Sequence, residues 1–157
     1  MVLQIIAKLT RGESILPADS TKDKRIDIDS ESDMVDAENI ENNASTQHLE
    51  APVNVIYQTA EDGLGDTIKP RLLAAGADCT KVMVIDDSEQ PLTMADVRLE
   101  EAIVQTKARM VVLDPIQGFL GSEVDMHRAN EIRPLMKRIA VLAEKYHCAI
   151  ILIGHMN

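Results

Sequence analysis

Aromatic residues are scarce in this chain: 157 residues include no Trp, one Phe and two Tyr. Any core must therefore be aliphatic, and an apolar share of 45% is enough to build one. Cysteine is scarce too. Cys79 and Cys148 lie far apart and lack metal-ligand spacing, which excludes a disulfide framework and fits free thiols in a reducing cytosol. No apolar run reaches the roughly 20 residues of a membrane-spanning helix. The opening Met1–Lys8 is apolar but has no basic leader, so it does not read as a signal peptide. A cytoplasmic protein with no membrane partner is the expectation. Positive charge is also in short supply, with 16 Lys and Arg against 26 Asp and Glu and a formal charge of −10. No bulk basic field attracts nucleic acid, so contact with DNA or RNA needs a local patch or another subunit.

The acidity is unevenly spread. Between Asp19 and Glu50 lie ten acids against Lys22, Lys24 and Arg25, about −7 of the total. The apolar residues there, Ile26, Ile28, Val35 and Ile40, keep no useful period. Such a stretch cannot bury enough surface to offset chain entropy, and it reads as a disordered acidic insert over 19–50. The length otherwise suits one compact domain.

Around the insert, strand and helix patterns alternate. Val2–Thr10 has a helical stripe closed by Gly12. Val53–Gln58 reads as a strand, and Asp66 is placed to cap a helix running through Ala75 to a stop at Gly76. Lys81–Ile85 is the next strand. Thr93 and Asp96 resemble a capping box, stapled by Leu92 and Val97, for a helix to about Lys107. The run 110–113 is a strand, Pro115 to Asn130 a long loop, and Arg133 to His147 a helix with Pro134 in its first turn. Ile150–Ile153 closes the series. Continuous apolar strands alternating with helices predict an α/β fold with a mainly parallel sheet.

Reactive groups cluster where these strands end, and that is where open α/β sheets bind ligands. Met110-Val111-Val112-Leu113-Asp114 ends on an acid, the pattern by which P-loop NTPases hold magnesium beside terminal phosphates. Val82-Met83-Val84-Ile85-Asp86 satisfies it equally well. Order along the chain favours Asp114, because a long loop, a crossover helix and a strand ending in His155 follow it. Glu61, just past the 53–58 strand, is placed to orient or deprotonate a water, or is simply a solvated loop acid. His155 is placed to donate to a phosphate oxygen, or is a strand-end histidine held locally. Asn157 could do similar work. The loop with Gly118, Gly121, Arg128 and Asn130 is long enough to serve a neighbouring subunit or a nucleic-acid strand, or only to connect.

Taken in order, Tyr57-Gln58-Thr59-Ala60-Glu61-Asp62, Val111-Val112-Leu113-Asp114-Pro115 and Leu152-Ile153-Gly154-His155-Met156-Asn157 resemble the RecA-like ATPase core. The nearest likeness is to RepA-like and DnaB-like ATPases of plasmid and phage replication, including AAA-family ATPases. The resemblance covers Val53–Asn157 and extends to Val2–Gly12. It implies Glu61 as catalytic glutamate, Asp114 as Walker B metal aspartate and His155 as phosphate sensor. It also implies ATP and Mg²⁺ as cofactors, a ring-forming homo-oligomer and action on DNA, as in a helicase or recombinase. Leu3–Arg11 would match the helix after the phosphate-binding loop.

The chain departs from that family in one respect: no Gly-x-x-x-x-Gly-Lys-Ser/Thr occurs in it, so no cofactor-binding Walker A residue is assigned. The expectation is a partial RecA-like domain over 1–157, truncated before residue 1. Its P-loop strand would be missing from between the Asp114 and His155 strands, leaving an open position in the sheet. Three functions compete. The first is a fragment of an ATPase, weak in nucleotide binding by itself. The second is a non-catalytic degenerate subunit or interaction module. The third is a receiver-like or flavodoxin-like domain using Asp86, Asp87 and Asp114, which lacks a Lys after its last strand.

Overall fold

The structure, a computed structural model, describes residues 1–15, 51–61, 63–125 and 128–154. The predicted insert at 19–50 and the candidates His155 and Asn157 lie outside the described residues. Four strands, β1 (Val55–Thr59), β2 (Val82–Met83), β3 (Met110–Asp114) and β4 (Ala149–Leu152), form one sheet in the order β2-β1-β3-β4. Every pairing is parallel. The α/β parallel sheet expected from the alternating pattern is the observed fold.

The helices are α1 (Val2–Arg11), α2 (Lys69–Ala74), α3 (Val97–Thr106) and α4 (Ala129–Tyr146), and they cover both faces. Alternation along the strands divides the core. Val55, Tyr57, Met110 and Val112 pack with Ile6, Ala7, Ile68 and Leu72 beneath α1 and α2. Ile56, Val111 and Leu113 pack with Leu99, Ile103, Phe119, Ile139 and Leu142 beneath α3 and α4. Each such side chain contributes about 1.5–3 kcal/mol by leaving water, so the double coverage accounts for continuous apolar strands.

Helix α1 ends as its sequence predicts. Gly12 takes the left-handed conformation (φ 73°), and the Gly12 and Glu13 amides donate to Leu9 O and Lys8 O. The end of α1 is tied to the amino edge of the sheet. The Val53 amide, just before β1, donates to Leu9 O at 3.1 Å. The Asp78 amide, ahead of β2, donates to Thr10 Oγ1 at 3.1 Å. Helix α1 is ten residues long and β1 and β3 five residues each, so both span roughly 15 Å. The C-terminal end of α1 is therefore fixed at the amino edge, while Ile6 and Ala7 pack under the sheet.

Several local expectations are corrected. Asp66 does not cap α2; it lies inside a single π-helical turn, Leu64–Ile68, that leads directly into α2. Asp96, not Thr93, caps α3, its carboxylate accepting from the Arg98 amide at 2.9 Å. No staple forms there, since Leu92 is buried while Val97 is 56% exposed. Helix α4 starts at Ala129 rather than Arg133, with Pro134 inside it. Glu131 supports that earlier start by reaching back to accept from the Asp125 amide at 2.7 Å. The long loop shortens accordingly and contains a 3-10 turn, Ile116–Phe119.

The largest correction concerns the open position between β3 and β4. The two strands pair directly, from Met110↔Ala149 to Leu113↔Leu152, so each supplies the backbone partners the other needs.

Candidate functional site at the carboxyl edge

Asp114 is the last residue of β3 and the register partner of Thr59, the last residue of β1. One residue further on, the Ala60 amide donates to Asp114 O at 3.1 Å. Glu61 follows immediately and is exposed. The two carboxylates chosen from sequence therefore emerge at the same end of adjacent central strands. The third strand of the group arrives there too. Ile153 donates to Leu113 O at 3.0 Å and accepts from the Ile116 amide at 2.7 Å, which carries β4 to the same edge. His155 is two residues beyond, outside the described residues.

Register also decides which way Asp114 points. Met110, Val112 and Asp114 alternate onto the face covered by α1 and α2, and Tyr57 of β1 shares that face. The Tyr57 hydroxyl donates to Asp114 Oδ2 at 2.8 Å, while the residue as a whole is only 3% exposed in the apolar layer. A donor aimed at the carboxylate holds it in one orientation. Asp114 itself is half-buried, which keeps it open to a ligand at the edge.

The turn after β3 closes over the turn after β1. A Cβ at Gly118 would collide with the Cβ of Ala60, so only glycine allows this approach. Gly118 thereby gains a packing role, against the residue that precedes Glu61. Arg128 pairs with Asp125 and Glu131 at the start of α4, a local role rather than a reach toward a ligand.

The rival acid has a different setting. Asp86 is exposed and turns back on itself, accepting from the Ser88 amide at 3.1 Å and the Ser88 hydroxyl at 2.6 Å. Those two donors hold its carboxyl below the usual range. Its neighbour Asp87 accepts from Gln58 Nε2 at 2.9 Å. Gln58 is completely buried, and its amide also donates to Ile85 O and accepts from the Ile85 amide, both at 3.0 Å. Tyr57 and Gln58 were not singled out as site residues from sequence, and Asp87 was named only for a receiver-like acidic pocket. The available signals were a lone polar side chain inside an apolar strand, and the shared parity of Tyr57 and Asp114.

Neither cysteine adds chemistry at this edge: burial pushes the Cys148 thiol up to about 11, and Cys79 lies before β2 on the amino side. Among the described residues no three His, Cys, Asp or Glu side chains form a metal cage. Nor is any helix there long and apolar enough to cross a membrane. Against known proteins, the model of a family described as an AAA domain matches residues 34–157. The matched span starts inside the acidic stretch and includes all four strands but not α1. No curated protein matches the chain.

Proposed function

This chain belongs to the AAA-domain family, and we propose that its carboxyl edge is the carboxylate side of an ATP site, with Asp114 serving Mg²⁺ and Glu61 serving the attacking water. An ATPase-like nucleotide-binding function follows from the family. The finer reading is a partial RecA-like domain over 1–157, with 19–50 as an insert. Its parent would be a RepA-like or DnaB-like ATPase that assembles into a ring and acts on DNA. The observation that carries this proposal is the placement of Asp114 and Glu61 on neighbouring strand ends, tied by the Ala60–Asp114 backbone bond.

The donor set fits Mg²⁺ better than a caged metal. One or two carboxylates suffice when phosphate oxygens and waters complete the octahedron, whereas calcium and zinc sites draw on more protein ligands. Mg²⁺, when bound with nucleotide, supplies neutralisation of charge on the terminal phosphates. The protein's own part is positional. Tyr57 orients the Asp114 carboxylate, and Gly118 against Ala60 sets the start of the Glu61 turn. Glu61, exposed at the edge, accepts a proton from water as a general base. By family resemblance His155 would donate to the γ-phosphate.

Affinity should be low, because no Gly-x-x-x-x-Gly-Lys-Ser/Thr is present to supply the usual backbone donors and Lys. The same absence, with the direct β3–β4 pairing, favours a second reading: a non-hydrolysing subunit that joins or regulates an intact ATPase. One titration separates the two. Fluorescent ATP is titrated with and without Mg²⁺ into wild type and Asp114→Ala. The catalytic reading expects Mg²⁺-dependent binding, with apparent Mg²⁺ affinity falling about 10-fold or more in the variant. Glu61→Gln should bind and not hydrolyse. Binding indifferent to Asp114→Ala would sink the metal assignment, and a folded protein with no nucleotide response would select the non-hydrolysing subunit.

A further inference from the structure

Beside the edge strand β2 lies a cavity that the nucleotide reading does not use. β1 and β2 pair at Val55↔Val82 and Ile56↔Met83, so Val84 would face Tyr57 if the ladder continued. It stops because the Gln58 amide stands between the two backbones and takes both polar groups of Ile85. The strand peels away, and Val84 is left 44% exposed. The gap is a cavity of about 290 Å³ between Tyr57, Val82 and Val84 on the sheet and Ile68, Lys69 and Leu72 on the helical layer.

Its chemistry is simple. The aliphatic side chains and the Tyr57 ring make an apolar interior, and the Tyr57 hydroxyl is committed to Asp114. The one charged group is Lys69, exposed and without a hydrogen bond or ion pair among the described residues. The volume stands at the lower end of the range for small-molecule sites, roughly 300 Å³ and upward. We propose that this cavity binds a small amphipathic anion, a carboxylate on a medium-length aliphatic or aryl body, with Lys69 taking the carboxylate. The apolar body would cover Val84, which the peeled strand leaves exposed, and rest against the Tyr57 ring that lines the cavity. Because that ring also carries the hydroxyl on Asp114, occupancy is communicated to the carboxyl edge.

The proposal stands independently of the nucleotide reading and is tested without nucleotide. Octanoate and octanol are titrated separately into the full chain, and amide shifts are followed by two-dimensional NMR. The expected result is saturable octanoate shifts centred on Leu72, Val82 and Val84. Lys69→Gln should weaken octanoate about two- to fivefold, as for an ion pair at a wet rim, and leave octanol unchanged. Lys69 is exposed, so that variant should fold. In wild type the Asp114 carboxyl carbon should shift with octanoate, and in Tyr57→Phe it should not; a shift that persists in Tyr57→Phe overturns the relay. No saturable shifts at those residues, or equal octanoate affinity in Lys69→Gln, overturns the site. Shifts at the same residues that grow with protein concentration alone would assign the cavity to a second copy of the chain, and also overturn it.

Discussion

β2 and β3 both run from apolar residues toward an Asp, yet their ends are held by different means. The end of β3 is held by backbone on both sides: Leu113 pairs with Gln58 and Leu152, and Asp114 with Thr59. The chain beyond β2 is held by side chains. Gln58 takes the Ile85 backbone, and Arg98 donates to Asp86 O, Gln90 O and Pro91 O. Arg98 is in turn clamped by Asp96 at 2.7 Å. Where the ladder carries the load, the terminal acid is presented at a defined place with a donor from the neighbouring strand. Where side chains carry it, the terminal acid folds back onto its own turn. An identical pattern of residues thus yields a candidate ligand in the centre of the sheet and a turn-former at its edge.

The most direct way to break this contrast is Gln58→Leu. It removes a buried amide and leaves both polar groups of Ile85 without their partner, at a cost of about 2–3 kcal/mol. Urea denaturation should show that loss, and hydrogen exchange should speed at Ile85 while the β3 amides stay protected. Equal loss of protection in β3 would show that the two ends are not separately held. Asp96→Ala should come next, at about 1 kcal/mol, the usual cost of losing an N-cap. Since Asp96 also anchors Arg98, the variant should raise mobility over 86–91 in nitrogen relaxation measurements, with Asp114 unaffected.

Much of the central sheet was legible because its strands state their burial directly. Val111, Val112 and Leu113 are buried on both faces, so the run could only be an interior strand. Asp114 and Glu61 could be placed at one edge by direction alone, since parallel strands send their carboxyl ends the same way. What escaped was anything decided between strands. The stretch 81–85 has five suitable residues, yet only Val82–Met83 joins the ladder, because a side chain of another strand takes its place. The α3 cap escaped for a similar reason: Thr93 and Asp96 are both good caps, and the Asp96–Arg98 pair chose the second. The β3–β4 contact was hidden by assuming a family's strand order, which a sequence pattern does not itself encode.

The smallest expected effect tests the β2 end at the level of a single charge. Ser88 donates twice to Asp86 and holds its carboxyl below the ordinary value of 3.8. A carboxyl depressed by folding contributes stability above the unfolded value, and that contribution fades as pH falls through the folded one. Asp86→Asn keeps an oxygen for Ser88 but removes the charge, so it should resemble the protonated wild type. The difference in Tm between the two proteins should be small at about pH 7 and should close below about pH 4, because the carboxylate is exposed and its donors are local. A variant more stable than wild type at about pH 7, with the gap closing on acidification, would mean that the Asp86 charge opposes the fold, placing it against the other acids of this edge rather than in a self-contained turn.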